Sequence, residues 1–296
     1  MTDPFVKSCV EELKDRALTD GGFRSTVKGH YGPDSTAWAI IALNAVGWDG
    51  YLIDLARSRI AGDQHEDGRI SVSPSHPEAF WPTPLAVLAW ENSPFHKKAQ
   101  LRAIDFLIGT SGAYWPKDPK AAYVHDTSLR GWSWIERTHS WVDPTSLSVQ
   151  ALKLTGHENH HRVTEAVRLL LDRQLPNGGW NCGNTIVFGK ELWPLPDSTG
   201  IALDALSGTV PLQTVQSSLN YLKMRIIKVR SPLSLGWGLL GLGAWGEKPT
   251  QAKEWLVECR QLQERYGSYN TSLVSLILLA YLAPSGLLSL ITKQDR

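Results

Sequence analysis

The 296-residue chain is predicted to fold as an all-α protein, a single (α/α)6 toroid in which six inner and six outer helices alternate. Three observations predict it. A helix-start phrase recurs along the chain. Each copy opens a stretch that is apolar around most of its circumference, as a buried helix is. Between these stretches lie amphipathic segments with charged faces, most of them closed by a glycine turn. Buried and amphipathic helices in alternation have one compact arrangement, an inner ring wrapped by an outer one. No linker of shifted composition interrupts residues 1–296, so one domain is expected.

The elements follow in order. Amphipathic segment 5–17 ends in Asp20-Gly21-Gly22-Phe23, and Gly32-Pro33-Asp34-Ser35-Thr36 opens the buried AWAIIAL. Segment 51–61 ends in Asp67-Gly68-Arg69-Ile70, and Phe80-Trp81-Pro82-Thr83-Pro84 opens LAVLAW. Segment 97–109 leads into a long loop, 112–142, before Trp141-Val142-Asp143-Pro144-Thr145 opens LSVQAL. Segment 161–174 ends in Asn177-Gly178-Gly179-Trp180. A second loop, 180–196, precedes Leu195-Pro196-Asp197-Ser198-Thr199 and GIALDAL. Segment 212–229 precedes a degenerate start at Ser234-Leu235-Gly236-Trp237. Segment 250–265 ends in Tyr266-Gly267-Ser268-Tyr269, and Asn270-Thr271 opens SLVSLILLAYL. Aspartate followed by proline suits a helix start: the carboxylate accepts from free N–H groups, and proline there loses no needed donor.

Composition narrows the function. Lys+Arg 30 against Asp+Glu 29 gives no basic excess, which argues against a nucleic-acid partner. Cys9, Cys182 and Cys259 are scattered, without CxxC spacing, and suit a reduced, cytoplasmic setting. The charged, amphipathic N-terminus is not a signal peptide. Residues 271–291 are nearly all apolar, but Pro284 and Gly286 interrupt them. A buried helix and a short second one are expected there rather than a membrane span. Residues 287–291 leave shallow, peripheral membrane contact open.

The candidate chemistry sits at the helix starts. Asp34, Asp143 and Asp197 share one repeat position. They are either N-caps, worth about 1 kcal/mol each, or carboxylates on one rim of the barrel. A carboxyl there could donate a proton only if desolvation raised its pKa. Asp143 has Trp132, Trp134 and Trp141 near it in sequence, and His139 four residues earlier as a hydrogen-bond partner. The chain holds 13 tryptophans. Trp38, Trp81, Trp134, Trp141, Trp193 and Trp237 lie on or beside inner-helix starts, either as core or as an aromatic cavity. Such a cavity would suit an isoprenoid chain and stabilise a cation on its π faces. His157-Glu158-Asn159-His160-His161 lacks metal-ligand spacing, so no metal is expected. Nucleotide and serine-hydrolase motifs are absent, and no cofactor is implied.

Gln174-Leu175-Pro176-Asn177-Gly178-Gly179-Trp180 fits the QxxxGxW repeat of the squalene–hopene and oxidosqualene cyclases. The runs from Gln64 through Gly68 to Ile70, and from Gln263 through Gly267 to Tyr269, are variants with the tryptophan replaced. The whole chain resembles the prenyltransferase/squalene-cyclase repeat superfamily, nearest to its bacterial single-domain proteins. The resemblance implies an α/α toroid that handles isoprenoids. In class II terpene cyclases a DxDD motif supplies the initiating proton. Its central acid aligns with Asp143, while its first and last fall on Trp141 and Pro144. Protein prenyltransferase β subunits share the toroid but hold zinc through a DxC pair that this chain lacks. The resemblance therefore implies acid-initiated cyclisation with Asp143 as the acid and His139 beside it. Two alternatives stand: a non-catalytic toroid that binds a hydrophobic ligand or a protein, and a prenyltransferase-like subunit that needs a partner chain.

Overall fold

The computed structural model describes residues 3–48, 50–118 and 120–292. Its α-helices are α1 (Pro4–Asp15), α2 (Pro33–Ala45), α3 (Tyr51–Gly62), α4 (Pro82–Ala89), α5 (Lys97–Gly109), α6 (Val142–Leu154), α7 (His161–Asp172), α8 (Pro196–Leu206), α9 (Leu212–Ile226), α10 (Pro232–Ala244), α11 (Ala252–Gln261), the one-turn α12 (Gln263–Tyr266) and α13 (Thr271–Leu282). One small antiparallel hairpin, β1 (Ile186–Val187) with β2 (Lys190–Glu191), lies in the second long loop.

The inner ring is α2, α4, α6, α8, α10 and α13. Each packs on the next, and α13 packs back on α2, so the ring closes. The outer helices sit against it: α3 on α2, α5 on α4, α7 on α6, α9 on α8 and α10, α11 on α10 and α13, and α1 on α13. Closure joins the two ends of the chain. Phe5 stacks on Tyr281 at 4.4 Å, and the Tyr281 hydroxyl donates to Asp3 Oδ2 at 2.7 Å.

The recurring threonine explains the repeat. Thr36 Oγ1 accepts from Phe23 N at 2.9 Å, Thr83 from Ile70 N at 3.0 Å, Thr145 from Trp132 N at 2.9 Å and Thr199 from Trp180 N at 2.9 Å. Each hydroxyl also donates to the carbonyl of the same residue. One side chain thus clamps the residue that ends each glycine turn to the first turn of the next inner helix. Those clamped residues, Phe23, Ile70, Trp132 and Trp180, are fully buried. Gly178, at φ +93°, brings the turn so close to α9 that a Cβ would lie 2.5 Å from the Ser217 backbone. Gln174 Nε2 then donates to Ser218 Oγ at 2.7 Å. The QxxxGxW phrase is a docking device between neighbouring hairpins.

The far end of the barrel is closed. After α13 a 3-10 turn, Leu287–Leu290, sits against the C-terminal ends of α8 and α10, with Leu287 N donating to Asp204 and Gly286 against Ala244. Leu287 is fully buried, and Leu288, Leu290 and Ile291 pack on the core. The apolar stretch that left shallow membrane contact open in the sequence thus lies against the barrel floor. No helix among the described residues is long and apolar enough to cross a membrane.

Candidate functional site at the N-terminal rim

All six inner helices start at the same end, which places the first-turn residues of each on one rim. Asp34, Asp143 and Asp197 are there, in α2, α6 and α8. They are not the N-caps. The cap positions are Gly32, Trp141 and Leu195, and each aspartate lies inside the first turn. Pro144 likewise occupies the third helical position rather than the first, where its missing N–H is still one that needs no intrahelical partner.

The three carboxylates are held by serines of adjoining inner helices. Asp34 Oδ2 accepts from Ser35 at 3.3 Å and from Ser272 of α13 at 3.4 Å. Asp197 Oδ1 accepts from Ser234 of α10 at 3.1 Å. The Ser198 hydroxyl of α8 acts on Asp143 and favours its ionised form. Burial pushes the Asp143 carboxyl up to about 6, the Ser198 hydroxyl pulls it back, and the nearby Asp197 charge pushes it further up. Burial also raises Asp34. The Cys182 thiol, though its residue is exposed, is raised by partial desolvation and by the charges of Asp143 and Asp197. Its carbonyl accepts from Val142 N at 3.0 Å and ties the second loop to the start of α6.

The tryptophans divide into groups. Trp38 lies one turn below Asp34 on the same face of α2. It meets Trp237 of α10 edge to face at 5.7 Å, and both are almost fully buried, filling the barrel beneath the rim. Trp81 and Trp134 pack edge to face at 5.5 Å and are half-buried at the start of α4. Trp141 is half-buried and faces His139, with ring centroids 4.3 Å apart. Trp193 is 86% exposed.

His139 does not reach Asp143. The extended backbone at Trp141 (φ −118°, ψ 156°) carries the preceding residues away from the rim. His139 lines a side pocket instead, where burial and then the Arg173 charge lower its pKa. The partner that Asp143 has, Ser198, was visible only as part of the Asp-Ser-Thr phrase that Ser35 shares. Two further polar groups escaped sequence reasoning because they sit inside an apolar string. Ser146 Oγ and both side-chain polar atoms of Gln150 are buried without a hydrogen-bond partner. With Asp143 they follow i, i+3, i+7 spacing and share one face of α6.

No family model matches the chain, and no curated protein matches it. Solved structures do. A protein from Actinoplanes is 16% identical, with TM-score 0.62 over 97% of this chain and 99% of its own. An α-1,6-mannanase from Salegentibacter is 10% identical, with TM-score 0.62 over 94% of this chain and 97% of its own. The ent-copalyl diphosphate synthase of Streptomyces platensis is 16% identical, with TM-score 0.52 over 87% of this chain but only 50% of its own. The fold is the α/α toroid that these proteins share.

Proposed function

We propose that the rim initiates cyclisation of an isoprenoid chain, with Asp143 as the proton donor. The observation that carries this reading is the Asp143 carboxyl, set into the rim and pushed up to about 6, so that a useful fraction is protonated near neutrality. Trp141 and Pro144 stand where class II cyclases have supporting acids. Asp197 of the adjoining helix supplies a negative charge that favours the protonated form, and the Ser198 hydroxyl opposes it. The acid proton passes to a terminal alkene carbon and leaves a tertiary cation. The next alkene closes a ring onto that cation, and the final cation loses a proton from a neighbouring carbon to water. The net change is isomerisation, and Asp143 regains its proton from water. Trp81 and Trp134, half-buried at the start of α4, offer π faces to the cation. The synthase among the structural neighbours lends the toroid a precedent.

The test is turnover of polyprenyl substrates, with and without a diphosphate, followed by mass spectrometry of products. Wild type is expected to yield cyclised isomers and Asp143→Asn none, with unchanged helicity. Full activity in Asp143→Asn would sink the assignment.

A second reading has its own support. Asp143 and Asp197 form a pair in which one carboxyl is held toward protonation and the other is a hydrogen-bonded carboxylate, as glycoside hydrolysis requires of its acid and its base. The mannanase neighbour has this fold. Release of mannose from α-1,6-mannan, lost in both Asp143→Asn and Asp197→Asn, would favour it over cyclisation.

A further inference from the structure

A second pocket, of about 220 Å³, opens between the first long loop and the end of α7. Two ring pairs line it. Tyr123 stacks on His125 at 4.8 Å, and His139 lies over Trp141 at 4.3 Å. Trp115 lines it too, its indole Nε1 donating to the Tyr123 hydroxyl at 3.0 Å.

The loop is stapled in place. Trp115 N donates to Thr127 O at 3.0 Å and Thr127 Oγ1 donates to Trp115 O at 3.0 Å. Val124 N donates to Ile186 O at 3.2 Å, joining the loop to the β1–β2 hairpin. Asp126 N donates to Asp172 Oδ2 at 2.9 Å, and Arg173 Nη2 donates to Asp126 O at 3.1 Å. A ligand would therefore meet a preformed site and lose little to ordering it.

Its chemistry is polar but neutral. His125 lines the pocket, and its Nδ1 is buried without a hydrogen-bond partner. Burial and then the Arg173 charge push His125 down to about 4, so its ring is neutral and offers one donor and one acceptor. His139 is lowered in the same way. The Arg173 guanidinium is itself paired with Asp172, which leaves no free charge to recruit an anion. Lys117 is the other cation that acts on His125, and it stands outside the pocket lining. The volume lies below the ~300–1,000 Å³ typical of drug-sized ligand sites. One small ring fits and a polyprenyl chain does not.

We propose that this pocket binds a single neutral polyhydroxylated ring, a pyranose, stacked on its aromatic faces with a hydroxyl on the pocket-facing edge of the His125 imidazole. A sugar hydroxyl both donates and accepts, so it satisfies either imidazole tautomer. Sugar C–H groups suit the electron-rich faces of tryptophan and tyrosine. The Asn184 amide, which also lines the pocket, provides a further donor and acceptor. Trp141 and Gly183 bring the site close to the start of α6, but none of the rim carboxylates lines it, and it stands whichever reaction the rim carries.

Ligand-observed NMR with methyl α-mannoside, methyl β-glucoside and galactose tests it, with inorganic phosphate and indole as competitors. At least one sugar is expected to bind saturably in the millimolar range. His125→Phe should weaken it by about tenfold, the loss of one good hydrogen bond. Trp115→Ala, at a partly exposed loop position that should leave folding intact, should weaken it as well. Asp143→Asn should leave it unchanged. The proposal fails if no sugar binds the wild type, or if binding survives both pocket substitutions. It fails equally if phosphate or indole displaces the sugar, or if Asp143→Asn abolishes binding.

Discussion

The two ends of the barrel each hold a buried carboxyl whose pKa is raised, and they use it in opposite ways. At the rim, Asp143 is pushed up to about 6 and its partner is a serine hydroxyl beside a second carboxylate. At the floor, Asp204 of α8 is pushed up to about 7 by burial and accepts from Leu287 N at 3.1 Å. Around Asp204 every group is engaged in closing the barrel. Lys153 Nζ donates to Ala205 O at 2.9 Å, and Lys248 Nζ donates to Ala280 O and Ala283 O at 2.6 and 2.7 Å. Both lysines cap helix C-termini, where the dipole favours a cation. Asn92 Nδ2 donates to Ile291 O at 2.9 Å, pinning the end of the 3-10 segment. A raised carboxyl pKa marks desolvation, and desolvation alone does not distinguish a reactive group from a structural one. The neighbours distinguish them: backbone N–H and lysine at the floor, a hydroxyl and a like charge at the rim.

The largest expected difference is in turnover. Asp143→Asn should lower whichever activity is found by about 10²–10⁴-fold, the usual contribution of a positioned acid. Asp204→Asn, at a more deeply buried position, should leave it within a factor of two. Equal losses in both variants would show that the rim has no special role and that either substitution merely disturbs the fold. Next in size is a loss of stability confined to the floor. Leu287→Ala removes a fully buried side chain from the closing segment and should cost about 2–5 kcal/mol. Thermal or urea unfolding would show it, while kcat at a temperature where the variant stays folded should hold.

A third difference lies in the pH dependence of stability. Both carboxyls have folded pKa values above the ordinary 3.8. The folded state therefore binds protons more tightly than the unfolded one. Stability is fully present below about pH 4 and is lost as pH rises through about 6 for Asp143 and about 7 for Asp204. Each asparagine variant removes its own penalty, so each should be more stable than wild type at pH 8 by about 1–3 kcal/mol. Near pH 4 they should match it. Melting curves across pH 4–8 that run parallel for all three proteins would contradict these shifts.

Much of the toroid was legible because its repeat is chemical as well as periodic. Thr36, Thr83, Thr145 and Thr199 recur because each makes the same pair of bonds to the end of a glycine turn. The inner helices show as unbroken apolar strings because they are covered on all sides. The third turn, Gly131-Trp132, was hidden inside what reads as a long loop, because Arg130 stands two residues before Trp132 where the other turns have glycine. Trp132 still makes the bonds its counterparts make, through Thr145 and through Nε1 to Leu107 O at 2.9 Å. The site was legible only along the chain. The alignment of Asp34, Asp143 and Asp197 on one rim follows from the repeat. The Ser198, Ser234 and Ser272 contacts cross between helices far apart in sequence, and nothing in a single chain announces them. His139 looked like a partner by proximity in sequence, but the turn before α6 sends it elsewhere. Asp204 passed unnoticed inside GIALDAL, since a lone acid in an apolar string says nothing of what caps it.

The smallest expected effect bears most directly on how the rim tunes its acid. Two neighbours act on Asp143 in opposite directions: the Ser198 hydroxyl lowers its pKa and the Asp197 charge raises it. An acid works while protonated, so activity should fall as pH rises through the Asp143 pKa. Ser198→Ala removes a bond that favours the carboxylate, and the falling limb should move to higher pH. Asp197→Asn removes a like charge, and the limb should move to lower pH. Both substitutions keep roughly the volume of the side chain they replace, and neither residue forms part of the barrel floor. Opposite displacements in kcat/KM profiles would identify the titrating group as Asp143, since no other rim carboxyl has this pair of neighbours. Displacement in the same direction, or none in either variant, would assign the limb to another group and remove the physical basis for treating Asp143 as the acid.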